Sequence, residues 1–284
     1  MKNLKNNKTV LIPLFITLFF CNASGQIING PQSSPEGLIN SSAALRNEIE
    51  EIIRSFVEDY KSDRHATNAR IVGIDVPEAN GKWTITITGK EIEPKQWEVY
   101  MSDGLPKQPT YVYRAEADIL RAIKDGKVNA MTAQGKAFSS DYAPLDAYEM
   151  EGFIPSEDDN GEMNAFSFHF WTKGFPEVVP YRPTATRKAH GMGATIFYYE
   201  KGLRTGWGHM QPGDRVREDA REQAMPFPMM GVMIKGTAKG IVDGAPITVS
   251  EGNTVFIPAN VHHKWWNESD EDCELILIMF GKGA

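Results

Sequence analysis

The sequence predicts two domains of different class: an α+β unit with helices on an antiparallel sheet, then an all-β unit. Three observations carry this. Residues 42–151 alternate between amphipathic-helix and half-buried-strand patterns. Residues 152–189 break that pattern with prolines and an acidic, glycine-containing run, Ser156 to Glu162. Residues 190–284 are short strands separated by turns, with no sustained helical period.

Taken in order, Leu45, Ile49, Ile52, Ile53 and Phe56 recur at three- and four-residue spacing. That predicts a helix capped at Ser41 or Ser42 and ending near Asp63. Trp83, Ile85 and Ile87 alternate with threonines, as do Trp97, Val99 and Met101 with polar neighbours, and Tyr111 and Tyr113 follow in the same manner. Each set reads as a strand. Ile119, Leu120 and Ile123 then mark a helix stopped by Gly126. In the connector, Phe166-Ser167-Phe168-His169-Phe170-Trp171 reads as a strand-like segment packed between the domains.

Composition narrows the class. With 41% apolar and 24% charged residues, the 284-residue chain can bury a core and is not disordered. Thirty basic against 37 acidic residues give a net charge of −7, which argues against a nucleic-acid partner. Lys2, Lys5 and Lys8, the apolar run Val10 to Phe20 and the small residues Ala23-Ser24-Gly25 have the layout of a secretory signal peptide. The expectation is an exported protein, periplasmic or extracellular, with residues 1–25 removed near Gly25 and residues 26–41 as a linker. Loss of three lysines would take the charge from −7 to −10, and loss of Cys21 would leave Cys273 unable to form an internal disulfide. A retained anchor helix and a lipid-modified Cys21 are the alternatives, the second opposed by the bulk of Phe20 just before it.

Gly252, then after five residues Pro258, then Asn260, His263 and Asn267 resemble the second motif of the cupin family. Asn260 stands where that family usually has glycine, and asparagine tolerates the left-handed backbone of a tight turn. Met229 to Gly236 and Asp243-Gly244 resemble the first cupin motif, with fifteen residues between Gly236 and Gly252. The resemblance implies a double-stranded β-barrel over residues 190–284. It also implies a metal held by two histidines and a glutamate of the first motif and a histidine of the second. Only His263 matches. Met229 falls in the glutamate position, and the two histidine positions fall on Glu222 and Ala224 or on Gln223 and Met225. No cofactor is therefore expected; a divalent metal would need His263 joined by His209, Glu222 or His262. Trp265 shares the inward parity of His263, while His262 and Trp266 take the opposite one.

Gly81-Lys82-Trp83, the Tyr111/Tyr113 strand, the Asp118 helix, Gly126-Lys127 and Gly135-Lys136 resemble a sterol-carrier-protein-type domain over residues 42–151. That resemblance implies an apolar tunnel lined by Trp83, Trp97, Met101, Tyr111, Leu120 and Ile123, or else an ordinary core of the same residues. No Gly-Lys-Ser/Thr phosphate loop and no Gly-x-Ser-x-Gly elbow occurs, and Cys273 sits among acidic residues that disfavour a thiolate. The leading expectation is a non-catalytic binding protein for a small hydrophobic or amphipathic molecule. In the barrel, His263, Trp265, His209, Glu222 and Asn267 would form the pocket. A metal-dependent cupin enzyme acting on a small organic acid or sugar is the alternative. A structural module pairing copies through the barrel is the third.

Overall fold

Apolar spacing alone accounts for the first element. The computed structural model describes residues 35–174 and 177–284, so the expected leader and residues 26–34 lie outside the described residues. Helix α1 (Pro35–Tyr60) starts ahead of the expected Ser41 or Ser42 cap, and residues 35–41 are helix, not linker. It buries Ile49, Ile53, Phe56, Val57 and Tyr60. Five strands follow: β1 (Arg70–Val76), β2 (Gly81–Glu93), β3 (Gln96–Asp103), β4 (Tyr111–Ala115) and β5 (Leu145–Glu149). Between β4 and β5 lie α2 (Ala117–Lys124) and the single turn α3 (Ala130–Ala133). The sheet order is β3-β2-β1-β4-β5.

This sheet is mixed, which corrects the antiparallel expectation: β4 runs parallel to β1. The chain leaves β3 at one edge and crosses to the free side of β1. Its crossing segment lies against Gly73, where an added Cβ would stand 3.0 Å from Pro106 Cδ and 3.1 Å from Leu105 Cδ2. A side chain on β1 at that point would block the crossover, so the parallel pairing depends on a missing Cβ. Thr110 Oγ1 donates to Ile71 O at 2.7 Å and pins the far end of the crossing.

The second correction is larger. Residues expected to form a strand at 166–171 belong to helix α4 (Glu157–Phe170) and the residue after it. Ser156 caps it, with Asp159 closing a reciprocal capping box. Phe166, Phe170 and Trp171 are fully buried. Trp171 meets Phe56 at 5.5 Å and Tyr113 at 5.4 Å in edge-on contacts, and Tyr60 meets Phe166 and Phe170 at 5.6 and 5.5 Å. Such aromatic pairs add to the burial energy and fix ring orientation. The α+β core is thus completed by a segment that looked like a connector.

The remaining strands are β6 (Arg187–Ala189), β7 (Met192–Glu200), β8 (Leu203–Met210), β9 (Arg215–Val216), β10 (Met229–Lys235), β11 (Thr237–Val242), β12 (Ala245–Ser250), β13 (Thr254–Ile257), β14 (His263–Trp266) and β15 (Cys273–Phe280). They form a six-stranded sheet, β13-β10-β15-β8-β7-β6, and a four-stranded sheet, β12-β11-β14-β9. The sheets face one another: Met210, Met233 and Cys273 of the first share a core with Val216, Ala238 and Val249 of the second. Among the described residues no strand belongs to both sheets, so hydrogen bonding does not close them into a barrel.

Turn chemistry sets the register. Asp243 and Gly244 both have positive φ (50° and 79°) and join β11 to β12 as a tight hairpin. Asn260 has φ 61°, the left-handed conformation that glycine usually supplies. A Cβ at Gly236 would lie 2.6 Å from Asp272 O, so only glycine fits there.

Candidate ligand cavity

The inner face of the six-stranded sheet is built in rows. Ile257, Met229, Met279, Arg204 and Tyr199 are successive cross-strand partners. In the next row, Val255, Gly231, Leu277, Gly206 and Ile196 follow one another in the same way. Gly231 of that row lines the cavity without a side chain, while the Cβ positions at Gly206 and Gly208 are taken up by Thr195 O, Leu275 and Met192 of the same sheet. Between the two sheets lies a cavity of about 270 Å³. Seven of the chain's twelve methionines line it (Met131, Met192, Met210, Met225, Met229, Met233 and Met279), so its wall is deformable as well as apolar.

On the four-stranded side, His263 and Trp265 line the cavity together with Val216, Ala238 and Val249. Trp265 lies across Gly240, where a Cβ would come within 2.5 Å of the indole. One end is closed by the first region of the chain. Met131, Thr132, Gln134, Gly135 and Lys136 around α3 all line the cavity. They are held there because Ile196 N donates to Thr132 Oγ1 at 2.9 Å, Arg187 Nε donates to Gly135 O at 3.0 Å, and Asn129 Nδ2 donates to Ile196 O.

The charged side chains that line the cavity are all cationic: Lys136, Arg187, Arg204 and Arg217. His263 Nδ1 faces Val261 O at 3.0 Å, which assigns the proton to Nδ1. Nε2 is then an acceptor, buried without a partner. Burial pushes the His263 pKa down, and the nearby Arg217 charge adds to this, so the ring is neutral at neutral pH. His190 Nδ1 pairs with Glu222 Oε2 at 2.7 Å; burial lowers its pKa although the carboxylate opposes the shift. Arg217 is 7% exposed, has φ 59°, and donates from its backbone N to His190 O at 2.9 Å. Its guanidinium donates to Glu222 O and stands 3.1 Å from Met225 Sδ. His190 is itself left-handed (φ 54°), so two strained non-glycine residues hold this corner of the cavity.

The other expected pocket residues are elsewhere. His209 lies on the far face of β8, a correction to its expected inward role. It stacks on Trp207 at 5.3 Å, and its Nε2 stands 3.1 Å from Asp272 Oδ2. That face is covered by the connector, whose Tyr181 packs edge-on against Trp207 at 5.9 Å. Asn267 is buried in the β14–β15 turn, not in the pocket. It donates to Met210 O at 3.1 Å and Glu271 O at 2.7 Å, and accepts from Ser269 N at 3.0 Å. Glu222 approaches the cavity only through His190, and His262 is exposed. In the first region, Trp83, Tyr111, Leu120 and Ile123 belong to one closed core, against which Trp97 and Met101 pack. Burial pushes the Cys273 thiol up to about 12, which keeps it protonated and unreactive.

The residues do not fit the metal set that a cupin resemblance implies. Met225 and Met229 place thioethers near His263, and Arg217 adds a positive charge that opposes a divalent cation. Among the described residues, no cluster of three His, Cys, Asp or Glu side chains is placed to hold an ion. Sequence reasoning found His263 and Trp265 but missed Arg204, Arg217, His190 and the α3 cap. The available signal was the face alternation Arg204-Gly206-Gly208-Met210, which places the arginine beside the glycines.

Residues 206–279 match the family model described as a cupin domain. No curated protein matches the chain. Similar solved structures include a cupin 2 conserved barrel domain protein from Salinispora arenicola CNS-205, with 18% identity over 37% of this chain and 88% of that one, TM-score 0.33. A predicted oxalate decarboxylase from Thermotoga maritima shows 13% identity over 31% and 79%, TM-score 0.29. KdgF from Halomonas sp. shows 14% identity over 33% and 82%, TM-score 0.29. The C-terminal half of this chain therefore resembles the cupin family, with the match to the cupin domain lying over residues 206–279.

Proposed function

We propose that this chain binds a small hydrophobic or amphipathic molecule between the two sheets of its cupin-like region, without catalysing a reaction on it. One observation carries the reading: a partly open cavity of about 270 Å³ whose wall is mostly apolar, lined by methionines and Trp265. Largely apolar clefts and cavities with a few convergent polar groups are the usual form of a small-molecule site. Two groups otherwise suited to chemistry are committed elsewhere: Cys273 is protonated, and Glu222 is paired with His190.

The test uses Gly231→Leu. A Cβ there would stand 3.3 Å from Val255 Cγ1 and 3.5 Å from Leu275 Cδ1, so the Val255 side chain must give by a few tenths of an ångström as the longer side chain enters the cavity. Native mass spectrometry of protein purified without chelator or detergent should show a small organic adduct in the parent and none in the folded variant. Stoichiometric iron, zinc, manganese or copper that disappears in His263→Ala would instead support the metal-dependent enzyme.

A further inference from the structure

The charge on the cavity wall is one-sided. Lys136, Arg187, Arg204 and Arg217 line it, and no aspartate or glutamate does, in a chain whose net charge is −7. Two of the four are already committed. Lys136 Nζ holds Asp146 at 2.7 Å, and Arg187 is bound to Gly135 O and Tyr142 O. The other two are not. Among the described residues, neither Arg204 nor Arg217 has a carboxylate within 4.0 Å. Arg204 has Tyr199 as its neighbour, through the ring at 5.3 Å and a side-chain hydrogen bond to the hydroxyl, but its Nε is buried without a hydrogen-bond partner and no acid faces it. Arg217 meets only a backbone oxygen and the Met225 thioether, while the nearest acid, Glu222, gives its carboxylate to His190.

A buried guanidinium without an acid is costly, because it gives up hydration and gains no counter-charge. Both line the same cavity as His190 and His263, and Arg217 is tied to His190 by its backbone N on His190 O at 2.9 Å. The methionine and Trp265 wall lines that cavity too. The arrangement is a cationic head site joined to an apolar body site.

We infer that the ligand is an organic anion, with a carboxylate-sized oxyanion head held by Arg204 and Arg217 and an apolar body lying along Met225, Met229, Met279 and Trp265. This rests on the binding reading above and names its ligand class. The guanidinium fork suits a carboxylate, which can accept two parallel hydrogen bonds.

Calorimetric titration with two matched pairs tests it: octanoate against 1-octanol, and cinnamate against cinnamyl alcohol. At least one acid should bind about tenfold or more tightly than its alcohol. Arg204→Met and Arg217→Met should each reduce that preference toward unity while the alcohol still binds. The ligand-free variants should also melt at or above the parent temperature, since each removes an unpaired buried charge. An alcohol binding as tightly as its acid would overturn the anion assignment and leave the cavity reading intact. If neither member of either pair binds, or if Gly231→Leu binds them as the parent does, the cavity reading fails as well. Arginine variants that melt well below the parent and keep the acid preference would make the two arginines structural.

Discussion

The two halves of the molecule bury apolar surface in opposite ways. In the first, Phe56, Tyr60, Tyr113, Phe166, Phe170 and Trp171 interlock as one buried cluster of rings in edge-on and stacked contacts. In the second, the same layer holds methionines and glycines, and about 270 Å³ stays open. Rigid rings with two rotatable bonds fill a layer. Flexible thioethers beside missing side chains leave a wall that can adapt to a guest. The difference is also one of polarity: the closed half keeps its charges outside or paired, whereas the open half turns two unpaired arginines inward.

The sharpest way to break this contrast is truncation. Phe166→Ala should cost about 3–5 kcal/mol, read from the denaturant midpoint, because its packed neighbours cannot collapse into the void. Met233→Ala on the cavity wall should cost clearly less. Equal losses would mean that the cavity is packed as tightly as the core.

Acid should attack the closed half next. His65 stacks on His169 at 5.1 Å, and its Nδ1 pairs with the Tyr60 hydroxyl at 2.8 Å, with Asp63, Glu162 and Arg70 around the pair. Burial, and then the neighbouring His169, hold the His65 pKa at about 4 against an ordinary 6.5. The folded ring therefore resists a proton that the unfolded chain accepts. Stability is full above about pH 6.5 and falls as pH drops toward about 4, by on the order of 3 kcal/mol. Asp63, whose pKa is lowered by its hydrogen bonds to His169 and His65 N against the effect of burial, loses its contribution further down, in the same direction. His65→Phe should flatten the slope between pH 6.5 and 4; an unchanged slope would place the titration elsewhere.

Smaller effects sharpen the comparison. Ser156→Ala should cost about 1 kcal/mol by opening the cap of α4, the helix that seals the first core. Gly231→Leu should change stability by no more than about 1 kcal/mol, since it fills existing space, while removing ligand binding. The export expectation has its own check: N-terminal sequencing of protein recovered outside the cytoplasm should begin near Gln26.

Much of the local structure was legible. The apolar stripe of α1, the alternation of β2 and β3, and the stop of α2 at Gly126 all follow from spacing. β1 escaped notice because Ile71-Val72-Gly73-Ile74 in a central strand is buried on both faces and does not alternate. α4 was misread because Phe166, Phe168 and Phe170 alternate as in a strand. In the fold, Met163, Phe166 and Phe170 share one buried face at helical spacing, and Ser167 satisfies its hydroxyl on Met163 O at 2.8 Å. Tertiary packing overrode a local β-like pattern.

The candidate site divides in the same way. Strand parity placed His263 and Trp265 on one face, because side chains alternate whatever the surroundings. It could not choose between the two faces of β8. His209 with Trp207, and Arg204 with Gly206, Gly208 and Met210, are equally regular sets. What decided was cover: the connector laid Tyr181 over the first set, and the four-stranded sheet closed over the second. By itself the sequence determined where the chain turns, which residues alternate, and that only His263 matches the ligand positions of the cupin motif. Only the tertiary structure decided that two distant arginines share one cavity without a counter-charge, because pairing is a property of neighbours in space and not of spacing along the chain.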